Sequence, residues 1–177
     1  WLRAVLRWPM APWRCMTALL DRVAQLEAGM ADHLTTLSHL QGALDHDGLT
    51  GAHSRLYFMA ALRQEVARFA REYRQPSGAK GFVVGLLDLD QFKSLNDRYG
   101  HAAGNEALVQ VVEHAHRVLR RDLDVFARYG GDEFVFLLPQ TSIHSAHALA
   151  DKVRTGLAAL KCTDTTAHFS VSIGLAA

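Results

Sequence analysis

The chain has 177 residues, 49% hydrophobic and 21% charged, with a formal net charge of +1. That is enough apolar material for one ordinary core plus an appendage, and the balanced charge gives no reason to expect nucleic acid or an acidic surface as a partner. Cys15 and Cys162 lack metal or redox spacing, which fits a reduced, intracellular protein with inert thiols.

The opening residues carry Trp1, Trp8, Trp13, Pro9 and Pro12 with no clear period, and Pro12 blocks an uninterrupted helix. Arg3, Arg7 and Arg14 break the only apolar run, so nothing approaches the ~20 residues of a membrane helix. A start at Trp1 rather than Met implies a fragment of a longer cytoplasmic protein, with a sensor or membrane segment expected upstream. From Leu19 the apolar positions step by four and three through Val23, Leu26, Met30, Leu37, Leu40 and Leu44, with His33 as the one polar seam position. This is a heptad pattern, and about four heptads predict a coiled coil. The alternative is one amphipathic helix packed on its own domain. Residues 1–45 are therefore assigned to an N-terminal signalling stalk and 46–177 to a globular domain.

In that domain Met59, Leu62, Val66, Phe69 and Tyr73 mark a helix face, closed by Gln75-Pro76-Ser77-Gly78. A strand over 82–88 is followed by helices over 91–99 and 105–120, the second facing inward with Leu108, Val111, Val112, Ala115 and Leu119. A hairpin turns at Gly130-Gly131, where glycine supplies backbone angles closed to other residues. A helix bearing Ile143, Ala146, Ala150, Val153 and Leu157 comes next. Then Phe169, Val171 and Ile173 alternate with His168, Ser170 and Ser172 as a half-buried strand. Helices mixed with a hairpin-containing sheet predict an α+β sandwich.

Asp132 and Glu133 stand at the hairpin tip, and Asp88 and Asp90 end the strand 82–88. Carboxylates at two strand ends of one sheet suit a hard divalent cation of the kind that handles triphosphates. Asp90 directly precedes a helix and is assigned to its cap.

Four blocks together identify a family. Asp47-Gly48-Leu49-Thr50-Gly51, the run from Asp88 to His101, Gly130 to Phe134, and Val171-Ser172-Ile173-Gly174 stand in the order and spacing of the GGDEF domain. The chain from residue 47 onward resembles that catalytic domain of diguanylate cyclases. The resemblance implies a palm-like, mainly antiparallel central sheet flanked by helices. It also implies condensation of two GTP into cyclic di-GMP and two pyrophosphates across a homodimer, with Mg²⁺ or Mn²⁺. By resemblance, Asp88, Asp132 and Glu133 are the metal and catalytic acids. The backbone of Gln91, Phe92 and Lys93, at a helix start that favours phosphate, holds the GTP phosphates beside Gly130 and Gly131, and Asn96 contacts guanine. Arg121 and Asp124 resemble an RxxD site that binds inhibitory cyclic di-GMP, with arginine suited to phosphate or the guanine Hoogsteen edge.

The chain departs from the family in two places. Gly100-His101-Ala102-Ala103-Gly104-Asn105 has asparagine where the family has aspartate. Asparagine offers guanine one acceptor and an unwanted donor, which is expected to weaken guanine preference by ~1–3 kcal/mol and to open mixed cyclic dinucleotides. The sequence also stops at Ala177, before the helix and strand with which family members usually continue. Two further readings are a cyclic di-GMP receptor or scaffold without turnover, and a pure dimerisation module. The ten histidines do not form a ligand set: His33, His39 and His46 are spaced too widely for one helix turn, and His114 and His116 do not share a face.

Overall fold

The computed structural model describes residues 22, 25, 27, 29, 30, 44–73, 81–120, 122–162 and 167–177. The chain forms two units, Trp1–Gly42 and Ala43–Ala177. Most of the proposed heptad, including Leu19, Val23, Leu26, His33, Leu37 and Leu40, lies outside the described residues, as do the tryptophans, Cys15, His39, the turn at 75–78 and Arg121. Met30 and Leu44, the two seam positions described, are exposed in a single chain.

The second unit is an α+β fold. Its elements run β1 (His53–Ser54), α1 (Arg55–Glu72), β2 (Val83–Leu89), α2 (Phe92–Val118), β3 (Val125–Gly130), β4 (Glu133–Leu138), α3 (Ile143–Ala158) and β5 (Val171–Ala176). The strands make one five-stranded sheet in the order β1-β3-β4-β2-β5. Only β1 and β3 are parallel; the other neighbours are antiparallel. The sheet is thus mixed and mainly antiparallel.

Burial explains the sequence of β4. After Glu133, every residue from Phe134 to Leu138 is buried, because β4 is the middle strand and both of its faces are covered. Phe134, Phe136 and Leu138 join Val83, Leu87, Leu89 and Phe126 in the core beneath α2 and α3. Val135 and Leu137 face the other way, with Phe58 and Ala127 beneath α1. A strand buried on both sides reads as a continuous apolar run rather than an alternation. Gly85 makes room in this core: a Cβ there would lie 2.0 Å from Phe136 Cζ. Along β2, Leu87 and Leu89 are buried while Leu86 and Asp88 are exposed, the period of two expected of a strand.

Helix starts follow their caps. Ser54 and Ser142 accept hydrogen bonds from the backbone N–H of Tyr57 and Ser145 at 3.2 and 3.1 Å, satisfying donors that the first helical turn leaves free. In α1 the residue that reaches the core is Phe58, with Met59 and Leu62 packed against it, whereas Val66 and Tyr73 are exposed. In α2 the inward set is as predicted, with Leu108, Val111, Val112, Ala115 and Leu119 all buried. The span Phe92–Val118 holds the two expected helices, divided by a kink at Gly100, whose φ of 85° and ψ of 161° are not helical; the second starts earlier than expected, at His101. His101-Ala102-Ala103 contain no turn former, so the helix resumes at once. Ile143 is the one residue of the predicted α3 face that stays exposed; Ala146, Ala150, Val153 and Leu157 are buried.

Candidate active site

Strand pairing brings the acidic residues together. Asp88, near the end of β2, is in register with Glu133 on one side and Ser172 on the other. The backbone N–H of Leu89 points at the Asp132 carbonyl, 3.4 Å away. Partial burial and then the negative charges of Asp132, Glu133 and Asp90 push the Asp88 carboxyl above the ordinary range. Like charges gathered at one place oppose ionisation, and a cation relieves them. Among the described residues no three carboxylate, imidazole or thiol groups form a ready-made metal cage. Mg²⁺ does not need one, since it takes one or two carboxylates and completes its shell with water and phosphate oxygens. The donor set is therefore chemically suited to such an ion.

Asp90 does not cap α2. The cap residue is Gln91, in the left-handed region at φ 56° and ψ 32°, and it makes no side-chain capping bond. The Asp90 carboxylate instead accepts hydrogen bonds from Ser170 and Ser172 at 2.5 and 2.6 Å, which hold it below the usual carboxylate range. Two hydroxyls from the β5 side outcompete the helix end for this side chain. The two acids of one strand end thus divide: Asp88 is raised, and Asp90 is lowered and held. The first N–H groups of α2 are left without a side-chain acceptor, beside Gln91 and Lys93, which are exposed, while Phe92 packs on the core. A bare helix N-terminus favours an anion.

The hairpin turn is held from outside. Gly130 pairs with Glu133, and Gly131 occupies the turn with φ 54°, a position where a side chain is strained. Arg128 donates from Nε and Nη2 to the Gly131 carbonyl at 2.9 and 2.7 Å. Its Nη1 reaches both carboxylate oxygens of Asp47, at 3.1 and 3.3 Å. Asp47 in turn accepts from the Thr50 N–H at 2.9 Å and the Thr50 hydroxyl at 2.6 Å. Burial raises the Asp47 carboxyl, but these bonds and the Arg128 charge outweigh it and leave it lowered. The block Asp47–Gly51 thus anchors the Gly130-Gly131 turn, a role for Asp47, Thr50 and Arg128 that the sequence did not suggest. An arginine two residues before the glycine pair was the available signal.

Asn96 is half-buried, and its Oδ1 is buried without a partner beside Gly104. Asn105, the next residue, is exposed. At the far end of α2 the structure separates Asp124 from solvent: its side chain is fully covered. It accepts from the Arg120 N–H at 2.8 Å and from Arg120 Nη2 at 2.7 Å. Arg120 is thus a partner of Asp124 here, while Arg121 lies outside the described residues.

The family described as diguanylate cyclase, GGDEF domain, matches residues 44–177. The chain belongs to the GGDEF family. This GGDEF chain is 37% identical over 145 residues to the diguanylate cyclase DgcP of Pseudomonas aeruginosa, a match covering 81% of this chain and 20% of that protein. It is 36% identical over 162 residues to the diguanylate cyclase TpbB of the same organism, covering 90% of this chain and 35% of the other. Among solved structures, the GGDEF domain of DgcB from Caulobacter crescentus in complex with c-di-GMP is similar at a TM-score of 0.66 and 27% identity, covering 74% of this chain and 73% of that one. The chain spans a fifth to about a third of the length of DgcP and TpbB.

Proposed function

We propose that this GGDEF domain condenses two molecules of GTP into cyclic di-GMP with release of two pyrophosphates. The observation that carries the reading is the register Asp88–Glu133, with Asp132 at the adjoining turn, beside an uncapped helix N-terminus. Oxygen donors for a cation and N–H donors for phosphate lie side by side, as a nucleoside triphosphate requires. Asp88, Asp132 and Glu133 would hold a divalent ion, Mg²⁺ or Mn²⁺, which when bound offsets the charge of the phosphate oxygens. The amides of Gln91, Phe92 and Lys93 would hold the outer phosphates, Gly130 and Gly131 would let the chain approach them closely, and Asn96 would contact the base. In each half-reaction a 3′-oxygen bonds to the α-phosphorus of the other nucleotide and the α–β phosphoanhydride breaks. Glu133, exposed at the start of β4, would accept the departing 3′-hydroxyl proton.

Each domain supplies one nucleotide, so the reaction takes a homodimer, and the heptad of residues 19–44 would raise the local concentration of the second domain. An upstream sensor would act through that stalk. Inhibition by bound cyclic di-GMP at Arg121 and Asp124 rests on their spacing in the sequence; with Asp124 engaged by Arg120, a ligand there has to exchange that partner. Asn105 supports a second reading, in which ATP enters one site and a mixed dinucleotide forms.

The test is the purified chain with Mg²⁺, given GTP alone and then GTP plus ATP, with products identified by mass. Cyclic di-GMP is expected, and Asp132→Ala should lower its rate at least a hundredfold without unfolding the domain. A mixed product would favour the second reading. Nucleotide binding without any product, in parent and variant alike, would leave a receptor or a domain that needs more chain than these 177 residues, and the same assay on a longer chain would decide between them.

A further inference from the structure

Asp90 is tied to β5 and the residue before it by three bonds. Its backbone N–H donates to the Ser170 carbonyl at 2.9 Å. Its two carboxylate oxygens each accept one hydroxyl, from Ser170 at 2.5 Å and from Ser172 at 2.6 Å. Both serines are exposed, so core packing does not account for them. Ser172 stands in register with Asp88, yet its hydroxyl goes to Asp90, two residues on. The next residue, Gln91, turns the chain through the left-handed region at φ 56°, a conformation that a residue other than glycine keeps only when its flanks are fixed. On one flank stands the Asp90 clamp; on the other the Gln91 carbonyl accepts from the Leu95 N–H at 3.1 Å.

What the clamp prevents is a local bond. An aspartate left to itself accepts from backbone N–H groups two or three residues ahead, and for Asp90 those belong to Phe92 and Lys93. They open α2, whose cap residue Gln91 makes no side-chain bond. A carboxylate seated there would satisfy the helix N-terminus and place a negative charge where the nucleotide phosphates are proposed to lie. We infer that Ser170 and Ser172 are positioning residues for the phosphate subsite: their hydroxyls hold the Asp90 carboxylate off the α2 N-terminus, which this acid of the same chain would otherwise occupy. This deepens the proposed function and rests on its reading of the Gln91, Phe92 and Lys93 amides as phosphate donors. Alanine at both serines removes the clamp and leaves the competitor in place. Alanine at Asp90 removes the competitor.

The experiment is displacement of a fluorescent, non-hydrolysable GTP analogue from the full chain, in saturating Mg²⁺, by GTP and by GMP. GTP should compete at lower concentrations than GMP in the parent. Ser170→Ala combined with Ser172→Ala should weaken GTP about fivefold, the scale of one helix cap, and GMP far less, because the freed acid meets the outer phosphates. Adding Asp90→Ala to the serine pair should restore GTP, and the gain should be several times larger than Asp90→Ala gives in the parent. GTP affinity unchanged by the serine pair, or a loss shared equally by GMP, would overturn the inference. So would a loss that Asp90→Ala does not recover, which would make the serines a mere support of the strand end. An equal gain from Asp90→Ala with and without the serines would also overturn it, since the Asp90 charge alone would then act. If the serine pair fails to fold by circular dichroism, Ser172→Ala alone carries the same comparison. GMP displacing the analogue as well as GTP does from the parent would remove the contact with the outer phosphates, and with it the reading on which the inference stands.

Discussion

His53 stacks on Tyr57 with ring centroids 3.9 Å apart and lies 4.6 Å from the His46 ring. Its Nδ1 is buried without a partner, and a cavity of about 180 Å³ separates it from His116, Leu119, Asp124 and Phe126. Burial and then the neighbouring His46 lower its pKa; a hydrogen bond with the Asp45 backbone pulls the other way, and His116 adds a smaller downward push. A histidine whose folded pKa lies below its unfolded value of about 6.5 is held neutral by the fold. Its stabilising share is complete above that unfolded value. As the pH falls through it, the unfolded chain takes up the proton first and stability is lost until the folded value is passed. Thermal unfolding of the parent should therefore lose ground between pH 7 and pH 5. His53→Asn, with nothing to titrate, should show a flatter profile over that range. Parallel profiles for the two proteins would mean that His53 does not sense the pH. The residue stands at the entry to the domain, so the same titration reports on how firmly β1 is seated.

Among the elements, the β3–β4 hairpin has the most to lose from a distant change. Its turn is tied through Arg128 to Asp47, so Arg128→Ala removes both hydrogen bonds to the Gly131 carbonyl and leaves Asp47 without its cation. Breaking one partner of a half-buried pair costs about 1–3 kcal/mol, and the turn carrying Asp132 and Glu133 would lose its fixed position. A fall in turnover of at least tenfold is expected, with the GTP KM changed less, measured by steady-state kinetics against Arg128→Lys. Lysine restores the charge but not the fork, so it should rescue only part of the loss; full rescue would show that charge alone matters. Much of this architecture was legible beforehand. The apolar run of β4, the inward face of α2 and the glycine turn follow from local periodicity and turn chemistry. The reassignment of Asp90 was not legible, because Ser170 and Ser172 bond it from some eighty positions away. Nor was the early start of the second helix, which resumes directly after the kink at Gly100 rather than near Asn105.

At the level of the whole molecule, covering β4 on both faces gives the domain its stability. Phe134 is fully buried, and truncating such a residue to alanine costs about 3–5 kcal/mol. Among the described residues no helix is long and apolar enough to cross a membrane. The acidic end of the sheet lies where that core runs out, with Asp88 exposed one residue before buried Leu89. A rigid interior thus carries the acidic residues at its rim, in keeping with the general placement of sites on supported edges.

The long-range bonds around the site have a common measure: 81 positions separate Asp47 from Arg128, 80 separate Asp90 from Ser170, and 82 separate Asp90 from Ser172. Local hairpins and helices close quickly, whereas contacts of such separation wait until most of the chain is already arranged. These links are then expected to form late in folding, together with the equally distant pairing of β2 with β5. Substitutions at Asp47, Ser170 and Ser172 should speed unfolding while leaving the refolding rate nearly unchanged, and stopped-flow chevrons would reveal the split. A slowed refolding limb would place these links in the nucleus instead. With the expected pattern, a domain on its way to the native state acquires its acidic rim last.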